Sequence, residues 1–148
     1  MSNYRRIVLR HEVRVLETGK FSVATSPGMI LEYAAGDVSQ YRPHPTEGGD
    51  VKPLRVAEIN YLLGEGVSDS YAIGDKGPVA FLRPGDVFVG ILEAGVDYSQ
   101  GDRLMSAGGG LLKKITSEDN DESVGILKED VDLSDTDAEN THAKVEVA

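Results

Sequence analysis

Apolar and polar residues alternate from Arg6 to Val15. Ile7, Leu9, Val13 and Val15 share one face with His11, while Arg6, Arg10, Glu12 and Arg14 share the other. A period of two is that of a strand with one buried face. The spacing therefore predicts a strand here, ended by Gly19, and a second short strand over 21–24. Ser26-Pro27-Gly28 predicts a turn, because proline presets φ at the second turn position and glycine accepts positive φ at the third. Residues 29–33 follow as a strand. Residues 36–53, with Gly36, Pro43, Pro45, Gly48, Gly49 and Pro53, read as a loop. Residues 54–63 read as a strand running into a short helix. Glycine and proline then punctuate the chain from Gly64 to Pro84. Beyond them, apolar runs at 87–92, 103–105, 111–115, 123–127 and 143–147 alternate with Gly or Asp turns. Short strands at this spacing predict a mostly β fold, a small β-barrel or β-sandwich with at most one or two short helices.

One stretch occurs twice. Val89–Ser99 overlies Val124–Ser134 at an offset of 35, with seven of eleven positions identical. The expectation is two equivalent strand-turn units in one barrel. Gly90 and Gly125, each inside a strand pattern, point to a bulge or a close backbone approach.

Charge divides the chain into a basic start and an acidic remainder. Residues 1–20 carry Arg5, Arg6, Arg10, Arg14 and Lys20 against Glu12 and Glu17, within a protein of net charge −10. Residues 1–20 accordingly read as a basic N-terminal strand or extended arm, and residues 21–148 as a single β-rich domain. An acidic body repels phosphate, so nucleic acid is not an expected partner. No apolar run approaches the roughly 20 residues of a membrane helix, and Met1–Arg6 lacks the apolar core of a signal peptide. The chain therefore reads as soluble and made in the cytoplasm. With 148 residues it can bury a core. Aromatic residues make up only 6%, so that core must come mainly from Val, Ile, Leu and Ala.

Candidate chemistry is sparse. The chain has no cysteine, which excludes disulfides, thiolate metal sites and a cysteine nucleophile. Gly108-Gly109-Gly110 lacks the spacing of a phosphate loop and reads as a hairpin turn. His11, His44 and His142 form no metal-binding pattern, and His11 on an apolar face reads as structural. Asp130, Asp132 and Ser134 open like a calcium loop. The sixth position is Asp135 rather than Gly, however, and the twelfth is Thr141 rather than Glu, so the stretch reads as an exposed acidic loop. No nucleophile elbow is present. Neither a catalytic residue, a cofactor nor a metal is expected, and the chain does not read as an enzyme.

Several segments follow one another in order: Ser26-Pro27-Gly28-Met29, Tyr71-Ala72-Ile73-Gly74-Asp75, Arg83-Pro84-Gly85-Asp86-Val87, and the run from Gly101 to Leu111. Val124-Gly125-Ile126-Leu127 and a closing Ala143-Lys144-Val145-Glu146-Val147 complete the series. In this order the chain resembles the head decoration, or cement, proteins of tailed phages and related archaeal viruses, the lambda type in particular. The resemblance covers about four-fifths of the chain from Ser26 onward and leaves out the basic N-terminal strand. It implies a β-barrel domain, commonly trimeric, on the outer face of a virion. There it would clamp major capsid subunits and stabilise the head. A cement protein also needs an extended segment able to add to a neighbour's sheet. The alternation in residues 5–16 suits that, with Arg5, Arg6, Arg10 and Arg14 as candidate capsid-docking residues. Two alternatives stay open: another virion module such as a tail or adhesin component, and a small-ligand barrel or enzyme.

Overall fold

The computed structural model describes residues 7–10, 15–60, 63, 65–116 and 123–148. It is built from β-strands, with no α-helix among the described residues. The strands are β1 (Val8–Arg10), β2 (Val15–Phe21), β3 (Ile30–Ala34), β4 (Asp37–Pro43), β5 (Leu54–Ala57), β6 (Lys76–Leu82) and β7 (Val87–Leu92), then β8 (Asp97–Tyr98), β9 (Arg103–Gly108), β10 (Leu111–Lys114), β11 (Gly125–Leu127), β12 (Val131–Asp132) and β13 (Thr141–Val147). Strands β2-β4-β3-β5-β6 close into a barrel. A six-stranded sheet runs β1-β7-β10-β9-β11-β13, and an additional β7–β13 pairing brings its far strand back to β7. The mostly β, barrel-containing architecture is the one the spacing of short strands predicts.

Alternation along the barrel strands divides the core. Phe21, Leu31, Tyr41, Ala57 and Val79 cluster with Tyr71 on one face. Their neighbours Ile30, Val56 and Ala80 face the other way, into a larger core shared with Phe88, Val89, Leu104, Leu112 and Val145 of the six-stranded sheet. The barrel and the sheet are thus joined by one apolar layer. Gly19 pairs with Gly77 across β2 and β6. A Cβ on Gly19 would lie 2.7 Å from the Tyr41 ring, and one on Gly77 would lie 2.5 Å from the Tyr71 ring. Glycine at both positions makes room for the rings, so Gly19 lies inside β2 rather than ending a strand.

One turn recurs. In Ala72–Asp75, Arg83–Asp86 and Ser99–Asp102 the Asp N–H donates to the carbonyl of the first residue, at 3.0, 3.1 and 3.1 Å. In each, an Asp carboxylate oxygen accepts the first residue's N–H at 2.8 Å. The glycines before these aspartates have φ of 85°, 91° and 94°. This is a turn that requires positive φ at its third position, which glycine supplies without strain. Each turn leads directly into a strand: β6, β7 or β9.

The repeated segments both form a strand followed by a short second strand, but they lie outside the closed barrel, which corrects the expectation that one barrel would hold them. β7 and β8 carry the first copy, β11 and β12 the second, and β8 pairs antiparallel with β12. Asp97 lies opposite Asp132, its own counterpart at the offset of 35. A local two-fold axis therefore passes through this pair. The glycines of the repeat mark close approach: a Cβ on Gly90 would meet Leu112 at 2.6 Å, and one on Gly125 would meet the Glu146 carbonyl at 2.3 Å. The Gly108–Gly110 run makes the β9–β10 hairpin, all three residues at positive φ.

Several expectations are corrected. Residues 22–24 are not a strand, and the expected loop over 36–53 contains β4. The punctuated stretch 64–84 contains β6. In the expected strand-to-helix stretch 54–63, residues 58–60 are irregular and Leu63 is in 3-10 conformation, while Tyr61, Leu62 and Gly64 lie outside the described residues. The even alternation from Ile7 is also broken. Ile7 and Val8 are both buried and Leu9 is exposed, because β1 bulges between Val8 and Arg10.

Candidate functional site

The N-terminal segment carries the residues that the sequence nominates for docking. β1 lies at the edge of the six-stranded sheet, antiparallel to β7, with Val8 opposite Phe88 and Arg10 opposite Val87. Its other edge is unpaired among the described residues. β2 enters the barrel between β6 and β4. The described parts of residues 1–20 are therefore woven into both sheets. Arg10 closes β1, whereas Arg5, Arg6, Arg14 and His11 lie outside the described residues.

An anchor for this segment comes from a residue that the sequence reading passed over. Glu58 is fully buried just after β5. Its carboxylate accepts the N–H groups of Ile7 at 2.6 Å, Val8 at 3.0 Å and Ile59 at 3.0 Å. A buried carboxylate is tolerated where several donors replace its lost water. Two successive N–H groups on one carboxylate also account for the bulge, since a regular strand points them in opposite directions. The only sequence signal was an acid between Ala57 and Ile59 in an apolar run.

His44 and His142 are both structural. His44 is buried, with Nδ1 2.9 Å from Ser106 Oγ and Nε2 3.1 Å from the Asp50 carbonyl. His142 Nε2 lies 2.9 Å from the Pro27 carbonyl. Among the described residues no group of His, Asp and Glu is placed to hold a metal ion. Asp130 and Asp132 are tied up locally, accepting the N–H groups of Gln100 at 2.7 Å and Ser134 at 3.0 Å. The Ser134 hydroxyl and N–H hold the Asp132 carboxyl below the usual carboxylate range.

Two of the concavities lined by described residues bear on a ligand. One, of about 220 Å³, is walled mainly by apolar side chains including Val51, Leu54, Leu82, Val124 and Val147. The other, of about 320 Å³, has a lining evenly divided between polar and apolar surface and lies beside β3 and β5, where Tyr33, Arg55 and the 50–53 segment meet.

In fold the chain is similar to the head fibre gp8.5 N base of bacteriophage phi29. The two share 17% sequence identity over 92% of this chain and 95% of that one, with a TM-score of 0.59. At that identity the likeness is one of architecture. No protein-family model matches the chain, and no curated protein matches it in sequence.

Proposed function

We propose that this protein is a non-enzymatic structural component of a virus particle. It sits on the outer face of an icosahedral head and stabilises the capsid by clamping major capsid subunits. The observation that carries this reading is the shared architecture with the base of a phage head fibre over nearly the whole of both chains. The resemblance of its motif order to that of decoration proteins supports the same reading. A rigid barrel joined to a second sheet by a continuous core suits a part that bears load. Self-association as a trimer would multiply weak individual contacts into firm attachment, because several capsid sites are engaged at once. The edge of β1 left unpaired among the described residues can accept a capsid strand, with Arg5, Arg6, Arg10 and Arg14 facing acidic capsid residues.

The test is to mix the purified protein with expanded heads that lack it, then image the heads by cryo-electron microscopy. Extra density at symmetry-related sites on the outer surface is the expected result. Binding to tails alone, or to no part of the particle, would overturn it. A second reading, the base of a fibre carried on the head, is favoured by the fold likeness itself. It predicts density that projects well beyond a decoration layer.

A further inference from the structure

The cleft beside β3 and β5 lies at one end of the barrel's inward-facing rows. Tyr33 follows Leu31 by two residues, Phe81 follows Val79 by two, and Arg55 precedes Ala57 by two. All three therefore continue the face that forms the inner cluster. Arg55 is paired in register with Leu31 on one side and Phe81 on the other. Its guanidinium carbon sits 4.5 Å from the centre of the Tyr33 ring and 5.2 Å from that of Phe81. Tyr33 in turn stacks on Tyr41 at 5.3 Å. The guanidinium is thus held against aromatic rings, leaving its in-plane edges for hydrogen bonding.

Those edges are poorly used. Nη1 reaches the Pro53 carbonyl at 3.4 Å, a long contact. Nε is buried and has no hydrogen-bond partner. The Nη groups, by contrast, reach the cleft with only that long contact, so an anionic acceptor there would meet charged donors now largely unused. The acids that line the cleft are already engaged. Glu32 accepts Arg42 at 2.6 and 2.9 Å, and Asp50 accepts the Lys52 N–H at 2.9 Å. The acids of the cleft are therefore engaged, while Lys52 and Arg55 are the cations that line it.

We propose that the guanidinium edge of Arg55, at the aromatic mouth of the barrel, is a binding site for a carboxylate group. The two carboxylate oxygens take the Nη groups that reach the cleft, the paired geometry for which arginine is suited and lysine is not, while the sealed Nε–H beside them reports the contact. A cleft of about 320 Å³ admits a single acidic side chain or a small free carboxylate, not a large ligand. This inference is independent of the virion reading.

The Arg55 Nε–H resonance of the full chain provides the test, because a buried Nε–H exchanges slowly enough to be seen by NMR. Sodium acetate, an acetylated and amidated Gly-Glu-Gly peptide and its Gly-Gln-Gly counterpart are titrated at constant ionic strength set with chloride. A saturable shift of the Arg55 Nε–H with acetate and the Glu peptide, absent with the Gln peptide, is expected. Arg55→Lys should weaken acetate binding at least tenfold, read from the neighbouring Tyr33 and Phe81 signals. If the Glu peptide binds tenfold more tightly than acetate, the natural ligand is a protein side chain. If the two bind equally, it is a free carboxylate. An Arg55 Nε–H that moves with neither acetate nor the Glu peptide, or that moves equally with chloride, overturns the proposal. That readout is made on the unaltered protein, so it stands even if Arg55→Lys fails to fold.

Discussion

Glu58 shows how much of this fold depends on single residues. Its carboxylate takes three backbone N–H groups in a site with no water access. Glu58→Gln keeps the shape but leaves one acceptor oxygen and turns an NH₂ group toward donors. The variant should lose about 2–4 kcal/mol, since hydrogen bonds to a charged group contribute about 1.5–3 kcal/mol each and a buried unmet donor adds to the loss. Urea denaturation measures this, and an unchanged midpoint would refute the anchoring role. The repeat glycines make a second comparison. A Cβ at Gly125 would sit 2.3 Å from the backbone carbonyl of Glu146, which cannot yield as a flexible side chain can. At Gly36 a Cβ meets nothing, and the positive φ is the only strain. Gly125→Ala should therefore cost about 3 kcal/mol or more by overpacking, and Gly36→Ala about 1 kcal/mol. Tyr98 supplies a pH dependence. Burial, reinforced by the Glu93 charge, pushes its hydroxyl up to about 12 from the ordinary 10.0. The folded state holds this proton more tightly than the unfolded state does. The stabilisation is thus complete below pH 10 and is lost as pH rises toward 12. Denaturation midpoints at pH 9 and pH 11.5 should differ less in Tyr98→Phe than in the unaltered protein.

At the scale of strands, what the sequence disclosed depended on how much side chain each strand buries. β7 is buried throughout and appears as an unbroken apolar run. β4 buries Tyr41 fully and leaves Val38 76% exposed, so its sequence has the polar look of a loop. β6 opens with Lys76-Gly77-Pro78, which reads as a break. The Tyr71 ring fills the space above Gly77, and Pro78 is paired with Thr18 of β2. Tertiary packing thus overrode the local signal at both. The candidate site was less legible still. Arg55 and Tyr33 are far apart in the chain, and only closure of the barrel stacks one on the other. Residues 7–10 carry the sharpest element-level prediction. Their removal strips Ile7 and Val8 from the core and leaves the Glu58 carboxylate without two of its donors. Full burial of two such side chains is worth about 3–6 kcal/mol. A protein lacking residues 1–10 should therefore lose its cooperative unfolding transition or aggregate. A truncated protein with a native NMR spectrum would show that β1 is dispensable.

Across the whole molecule, charge is distributed unevenly: residues 1–20 are net positive in a chain of net charge −10. Such asymmetry bears on encounter more than on folding, because separated surface charges are screened within about 10 Å at 0.1 M salt. If the proposed docking reading holds, the basic segment steers the protein toward an acidic capsid surface. Replacing Arg5, Arg6, Arg10 and Arg14 together by Ser should then slow association with heads by about tenfold at low salt and flatten the salt dependence of the rate. Dissociation should change less, since it reflects contacts made after docking. The four-fold substitution keeps Ile7, Val8 and their bonds to Glu58, unlike the truncation, so the denaturation midpoint should stay nearly constant. Rates measured by light scattering on heads, alongside urea denaturation, separate the two roles of this segment. A slower rate with an intact midpoint assigns the arginines to docking. An unchanged rate and salt slope remove them from it, and leave the segment as the strand that closes one edge of the sheet.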